Sequence, residues 1–129
     1  GLIASYLIDI NGASDVIGES YITYSNDSKH KILNVSHETI KEYTVVSEEV
    51  LKEMLKGLSE FTKSDLCLAS TGYAHTGEVY IGVQYKGRQY IRHLQLNGDR
   101  NRVRLRAKNA IIDTAILIMR GKYESNISI

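Results

Sequence analysis

Three places in this chain hold residues whose types and spacing could do chemistry. The first is Lys29, in "TYSNDSKHKIL" (residues 23–33). A β-branched and aromatic run ends at Tyr24, Ser25 and Asn26 interrupt it, and Asn26 is a candidate helix cap. A helix's first turn carries free N–H groups and favours acids, so a lysine there is out of place. That placement, together with burial, lowers an amine's pKa, and a lysine moved toward neutrality can serve as a general base. Tyr24 ends the preceding run and is near enough to share a hydrogen-bond network. Read from spacing alone, a solvated surface lysine is the commoner alternative.

The second place is Thr71-Gly72, which closes the apolar run "DLCLAST". Open α/β sheets bind ligands beyond the carboxyl ends of their strands. A hydroxyl beside a glycine suits close ligand approach. An ordinary strand-ending turn fits equally well. The third place is "NGDRNRVRLR", where Arg100, Arg102, Arg104 and Arg106 crowd the start of a helix. An anion there would meet both free N–H groups and a guanidinium. Arg100 lies nearest the cap, Asp99, and is the best phosphate candidate. Arg104 and Arg106 fit a solvated flank. The cluster lacks interleaved aromatics, which argues against nucleic acid. His30, His37, His75 and His93 have no metal-ligand spacing, so no metal is expected. Cys67, between two leucines, reads as a packed thiol.

These residues need elements to hold them. A helix is predicted from the start of the chain to about Leu7 or Ile8, with Leu2, Ile3, Tyr6, Leu7 and Ile10 on one face. It has no capping residue before it and reads as the interior of an element that begins earlier. A loop follows, then a strand over 20–25 and a short helix over 26–33. A second short helix, capped by Ser36, lies within 34–43. Ser47 caps the clearest helix, whose stripe is Val50, Leu51, Met54, Leu55, Leu58 and Phe61. "DLCLAST" is predicted as a buried, parallel strand. "EVYIGVQY" and "RQYIRHLQL" flank Lys86-Gly87 as a hairpin. The last helix starts after Asp99, buries Val103, Ala107, Ala110, Ile111, Thr114, Ala115 and Ile118, and stops at Gly121.

The fold class is therefore α/β: one domain over 1–129, with helices on both faces of a mixed sheet that includes an antiparallel hairpin. The composition fits, at 43% hydrophobic and 24% charged residues with a net charge of +1. No apolar run reaches the ~18 residues of a membrane span, so no membrane association is expected. The single cysteine suits a reducing, cytoplasmic setting.

Several segments, in order, resemble the CinA C-terminal domain family: "GLIAS", "TYSNDSK", "VSEEV", "STGYA", "GEVYIGV" and "NGDRNRVRLRA". That family includes the nicotinamide-nucleotide amidases. The resemblance implies a three-layer α/β/α sandwich. It also implies hydrolysis of nicotinamide mononucleotide to nicotinate mononucleotide and ammonia by a Ser–Lys mechanism, with no cofactor. Carried over, Lys29 of Y-S-N-x-x-K would be the general base, and Tyr24 would support its hydrogen-bond network. Asn26 of the same motif would contact substrate. Thr71, beside Gly72, would assist at the site, and Arg100 of G-D-R would hold the nucleotide or the transition state. A small-molecule nucleotide is the implied partner, and a homo-oligomer the implied assembly.

Two departures stand out. The family's nucleophilic serine lies in E-S-C-T-G-G, whose last glycine matches Gly1, so it would fall a few positions before this sequence starts. The family also has a loop where Ala74 here runs directly into His75. Ser25 and Ser28 offer no substitute nucleophile. The alternative reading is a non-catalytic nucleotide- or partner-binding module on the same scaffold.

Overall fold

Each main helix starts where a side chain can take up the free N–H groups of its first turn. The computed structural model describes residues 1–123. Helix α1 (Leu2–Ile8) is the exception, because Gly1 offers no side-chain cap. Helix α2 (Asn26–Leu33) is capped by Ser25, not Asn26. Ser25 Oγ accepts from the Ser28 amide, and Ser28 Oγ accepts from the Ser25 amide, each at 3.1 Å. This reciprocal box is available to Ser25 because a serine stands at its third helical position. Asn26 becomes the first helical residue instead.

Helix α3 (His37–Tyr43) is capped by Ser36, and α4 (Glu48–Thr62) by Ser47. Along α4, Val50, Leu51, Met54 and Leu55 are buried. Each such side chain contributes roughly 1.5–3 kcal/mol. Leu58 packs at the margin of this cluster, but Phe61 is 59% exposed and meets the ring of Tyr21 edge-on. The predicted stripe therefore ends one turn early.

Strands β1 (Leu66–Tyr73), β2 (Glu78–Tyr85) and β3 (Arg88–Gln95) form one sheet in that order. Both pairings are antiparallel. Lys86 and Gly87, with φ of 52° and 81°, make the β2–β3 turn as predicted. The α/β class and the helices on both faces stand, but the sheet is antiparallel rather than mixed. The parallel role expected of β1 fails because a short turn, Ala74–Gly77, returns the chain directly beside it. The amides of Thr76 and Gly77 both donate to the Tyr73 carbonyl there. The strand expected over 20–25 is also absent. Residues 17–24 lie outside helices and strands, since β-propensity alone makes no ladder without a neighbouring strand.

Alternation in the sheet separates two cores. Cys67 and Ala69 join Leu33, Val35 and the α4 stripe on one face. Val79, Ile81 and Val83 meet Val103, Ile111, Ala115 and Ile118 of α5 (Arg100–Met119) on the other. Gly82 faces α4, where an added Cβ would lie 2.8 Å from Leu55 Cδ1 and 2.9 Å from Leu51 Cδ2. Asp99 caps α5 by accepting from the Arg102 amide at 2.9 Å. The buried face of α5 is the predicted one, with Ala107 and Ala110 at its edge.

Candidate active site

Lys29 is buried, with only 7% of its surface exposed. Its Nζ donates to the backbone carbonyl of Thr23 at 2.6 Å. Burial holds the amine below its usual 10.5. The expected contribution from the helix end falls away. With Ser25 as the cap, Lys29 sits one position further in, and its own amide already donates to the Ser25 carbonyl at 3.1 Å. Asp27 occupies the first turn, as the positive end of a helix favours. Desolvation is thus the tuning device, and the capped helix supplies the position. An ammonium removed from water with one carbonyl partner loses much of its preference for the charged form.

Tyr24 follows Thr23 directly and points the other way, with 79% of its surface exposed. Its hydroxyl oxygen accepts from Arg100 Nη2 at 2.7 Å. This bond joins the start of α2 to the start of α5. Two consecutive residues, 23 and 24, thus link Lys29 through a backbone carbonyl and Arg100 through a hydroxyl. Asn26 stands exposed in the first turn of α2, beside them in sequence.

Thr71 makes a different connection. It is buried, and its Oγ1 donates to the Val45 carbonyl at 2.9 Å. Gly72 lies opposite Val79 in the β1–β2 ladder. An added Cβ there would approach Val79 Cγ2 to 2.8 Å and the Glu78 carbonyl oxygen to 3.1 Å. The neighbouring strand is therefore sufficient reason for a glycine at this position.

All four arginines of the cluster are exposed. Arg106 Nη1 donates to the Asn97 carbonyl at 3.0 Å. The hydroxyls of Ser25 and Ser28 are spent on each other and on the Ser25 carbonyl. Cys67 is buried in the α4-side core, and burial raises its thiol pKa. Among the described residues no group of three or more His, Cys, Asp or Glu side chains could hold a metal ion.

Sequence reasoning missed two features. The partner of Lys29 is a backbone carbonyl, which leaves no side-chain signal. A second polar cluster sits on the sheet. Tyr80 and His93 are cross-strand partners with rings stacked 4.2 Å apart. His93 Nε2 lies 2.9 Å from Glu78 Oε2. The two-residue turn at Lys86-Gly87 fixes that register, so counting back from it would have paired the two rings.

The chain matches the CinA C-terminal domain family over residues 1–118. It is 41% identical over 116 residues to a CinA-like protein of Fusobacterium nucleatum subsp. nucleatum, covering 83% of this chain and 28% of that protein. It is 38% identical over 122 residues to a CinA-like protein of Kosmotoga olearia, covering 88% and 30% respectively. The crystal structure of a competence-damaged protein (CinA) superfamily protein from Escherichia coli superposes with a TM-score of 0.89 at 28% identity. That match covers 92% of this chain and 74% of the other. The chain thus spans less than a third of the length of these two curated relatives. Sequence and fold agree over nearly the whole chain, and it belongs to the CinA C-terminal domain family.

Proposed function

We propose that this domain supplies the general base and the nucleotide contacts of an amidohydrolase that converts nicotinamide mononucleotide to nicotinate mononucleotide and ammonia. The observation that carries the reading is Lys29, a buried amine with a lowered pKa whose Nζ donates to the Thr23 carbonyl. In its neutral form the amine takes the proton of a serine hydroxyl as that oxygen attacks the carboxamide carbon. The proton then passes to the departing ammonia, and water resolves the acyl-enzyme. The serine belongs to the family segment that precedes Gly1.

Arg100, steadied by the Tyr24 hydroxyl, presents its guanidinium to the phosphate or to the developing oxyanion. Asn26 contacts substrate beside them. The reading requires no metal or organic cofactor and includes a self-associating cytoplasmic enzyme of pyridine-nucleotide metabolism. Among the described residues no helix is long and apolar enough to cross a membrane.

The test is ammonia release from nicotinamide mononucleotide by the full-length protein. Lys29→Ala abolishes release while mononucleotide binding persists. Undiminished turnover removes Lys29 from the mechanism. Binding without turnover by the unaltered protein replaces the amidase with the non-catalytic binding module.

A further inference from the structure

Thr44 has φ 70° and ψ 162°, a backbone region that side chains avoid and glycine tolerates. Such a conformation is strained and persists only where neighbouring contacts over-determine it. Four hydrogen bonds do so here. The Thr44 amide donates to the Ile40 carbonyl at 2.9 Å, closing α3. Thr44 Oγ1 donates to the Val46 carbonyl at 3.3 Å, and Ser47 Oγ donates to the Thr44 carbonyl at 2.9 Å. The fourth is the only one of these from outside the local segment: Thr71 Oγ1 to the Val45 carbonyl, from the edge strand β1.

The same Ser47 hydroxyl caps α4, accepting from the Val50 amide at 3.2 Å. The strained segment is therefore also the anchor of α4. Thr71, Tyr80 and His93 are successive partners across the three strands. Burial raises the Tyr80 pKa, with the Glu78 carboxylate and then those of Glu49 and Glu48 adding to it. The first turn of α4 thus stands near this row.

We propose that Thr71 is a positioning residue: its hydroxyl ties the strained segment Thr44–Ser47, and with it the start of α4, to the sheet. The hydroxyl hydrogen is committed to a backbone carbonyl, so Thr71 cannot donate to substrate while the tie holds. The activity part of the test rests on the amidase reading, and the exchange part does not.

Hydrogen exchange across residues 44–50 and steady-state kinetics with nicotinamide mononucleotide are measured on the full-length protein. Thr71→Val speeds exchange there about five- to tenfold, the equivalent of one net hydrogen bond. It raises KM more than it lowers kcat. Thr71→Ser keeps the hydroxyl and behaves as the unaltered protein. Adding Thr44→Gly to Thr71→Val restores folding and KM, because glycine holds this backbone without the tie. Unchanged exchange in Thr71→Val overturns the proposal, and so does failure of Thr44→Gly to restore KM. Loss of kcat with unchanged exchange assigns Thr71 to the reaction instead. If the unaltered protein does not turn over the nucleotide, the amidase reading fails and the exchange result alone decides the tie.

Discussion

Replacing Lys29 with methionine separates the cost of burying an amine from the value of its hydrogen bond. Methionine keeps most of the stem volume, so packing changes little. The substitution removes a bond from a charged donor, about 1.5–3 kcal/mol, and leaves the Thr23 carbonyl without that donor. It also removes the cost of holding an ammonium away from water, which is of comparable size. Near pH 7 the two offset, and the Lys29→Met protein falls within about 1 kcal/mol of the original, a Tm change of roughly 5 °C or less. Lys29→Ala loses the stem as well and costs about 2–3 kcal/mol. The pH dependence is the sharper signature. The unfolded chain holds the lysine proton up to about 10.5, whereas the folded chain releases it at lower pH. Between those values the unfolded state binds more protons, so stability rises with pH. Urea titrations of both proteins from pH 7 to 10.5 give the difference in unfolding free energy directly. That difference must grow with pH in favour of the lysine protein. A flat or falling difference means the amine is not tuned by burial, and the argument for Lys29 as base fails with it.

Three further outcomes follow from local geometry. Gly57→Ala in α4 would set a Cβ 1.7 Å from the Leu33 carbonyl oxygen, a backbone clash that only displacement of α2 relieves. It should destabilise the protein by about 3 kcal/mol or more and abolish turnover, read by urea titration and ammonia release together. Ser25→Ala removes the cap of α2 and should cost about 1 kcal/mol, with faster amide exchange confined to residues 26–29. Arg100→Lys should leave stability within about 0.5 kcal/mol, because the side chain is exposed. It should still weaken mononucleotide binding tenfold or more in calorimetry, since a lysine cannot present the planar fork.

What the sequence disclosed and what it hid divide along physical lines. Ser36, Ser47 and Asp99 were legible as caps because capping depends on side chains within a turn of one another. The α5 face was legible because a long helix repeats its pattern. The hairpin was legible from two turn residues. Strand direction was not, since the apolar run of β1 is the same whether its neighbour lies parallel or antiparallel. The segment 20–25 misled for a related reason: Tyr21, Ile22 and Thr23 have strand character, but a strand exists only against a partner. At the site, Lys29 was found by being the wrong charge for its expected place, although the place moved by one residue. Thr23 stayed hidden because its backbone oxygen is what matters.

The two halves of the candidate site are held in opposite ways, and this has a consequence for how it can fail. Lys29 owes its altered proton affinity to the packing around α2, which depends on the close approach of Leu33 to Gly57. Loosening that contact admits water and returns the amine toward its ordinary pKa, so the basicity proposed for Lys29 is lost before the fold is. Arg100 and Tyr24 are exposed and held by one bond between distant parts of the chain. Damage there weakens recognition and leaves the amine as it was. Substitutions at the Leu33–Gly57 contact should therefore act on kcat and its pH dependence, whereas substitutions at residues 24 and 100 should weaken mononucleotide binding and leave the pH profile of kcat in place. A variant at the Leu33–Gly57 contact that raised KM alone, with the pH profile of kcat unmoved, would show that burial around Lys29 does not set its basicity.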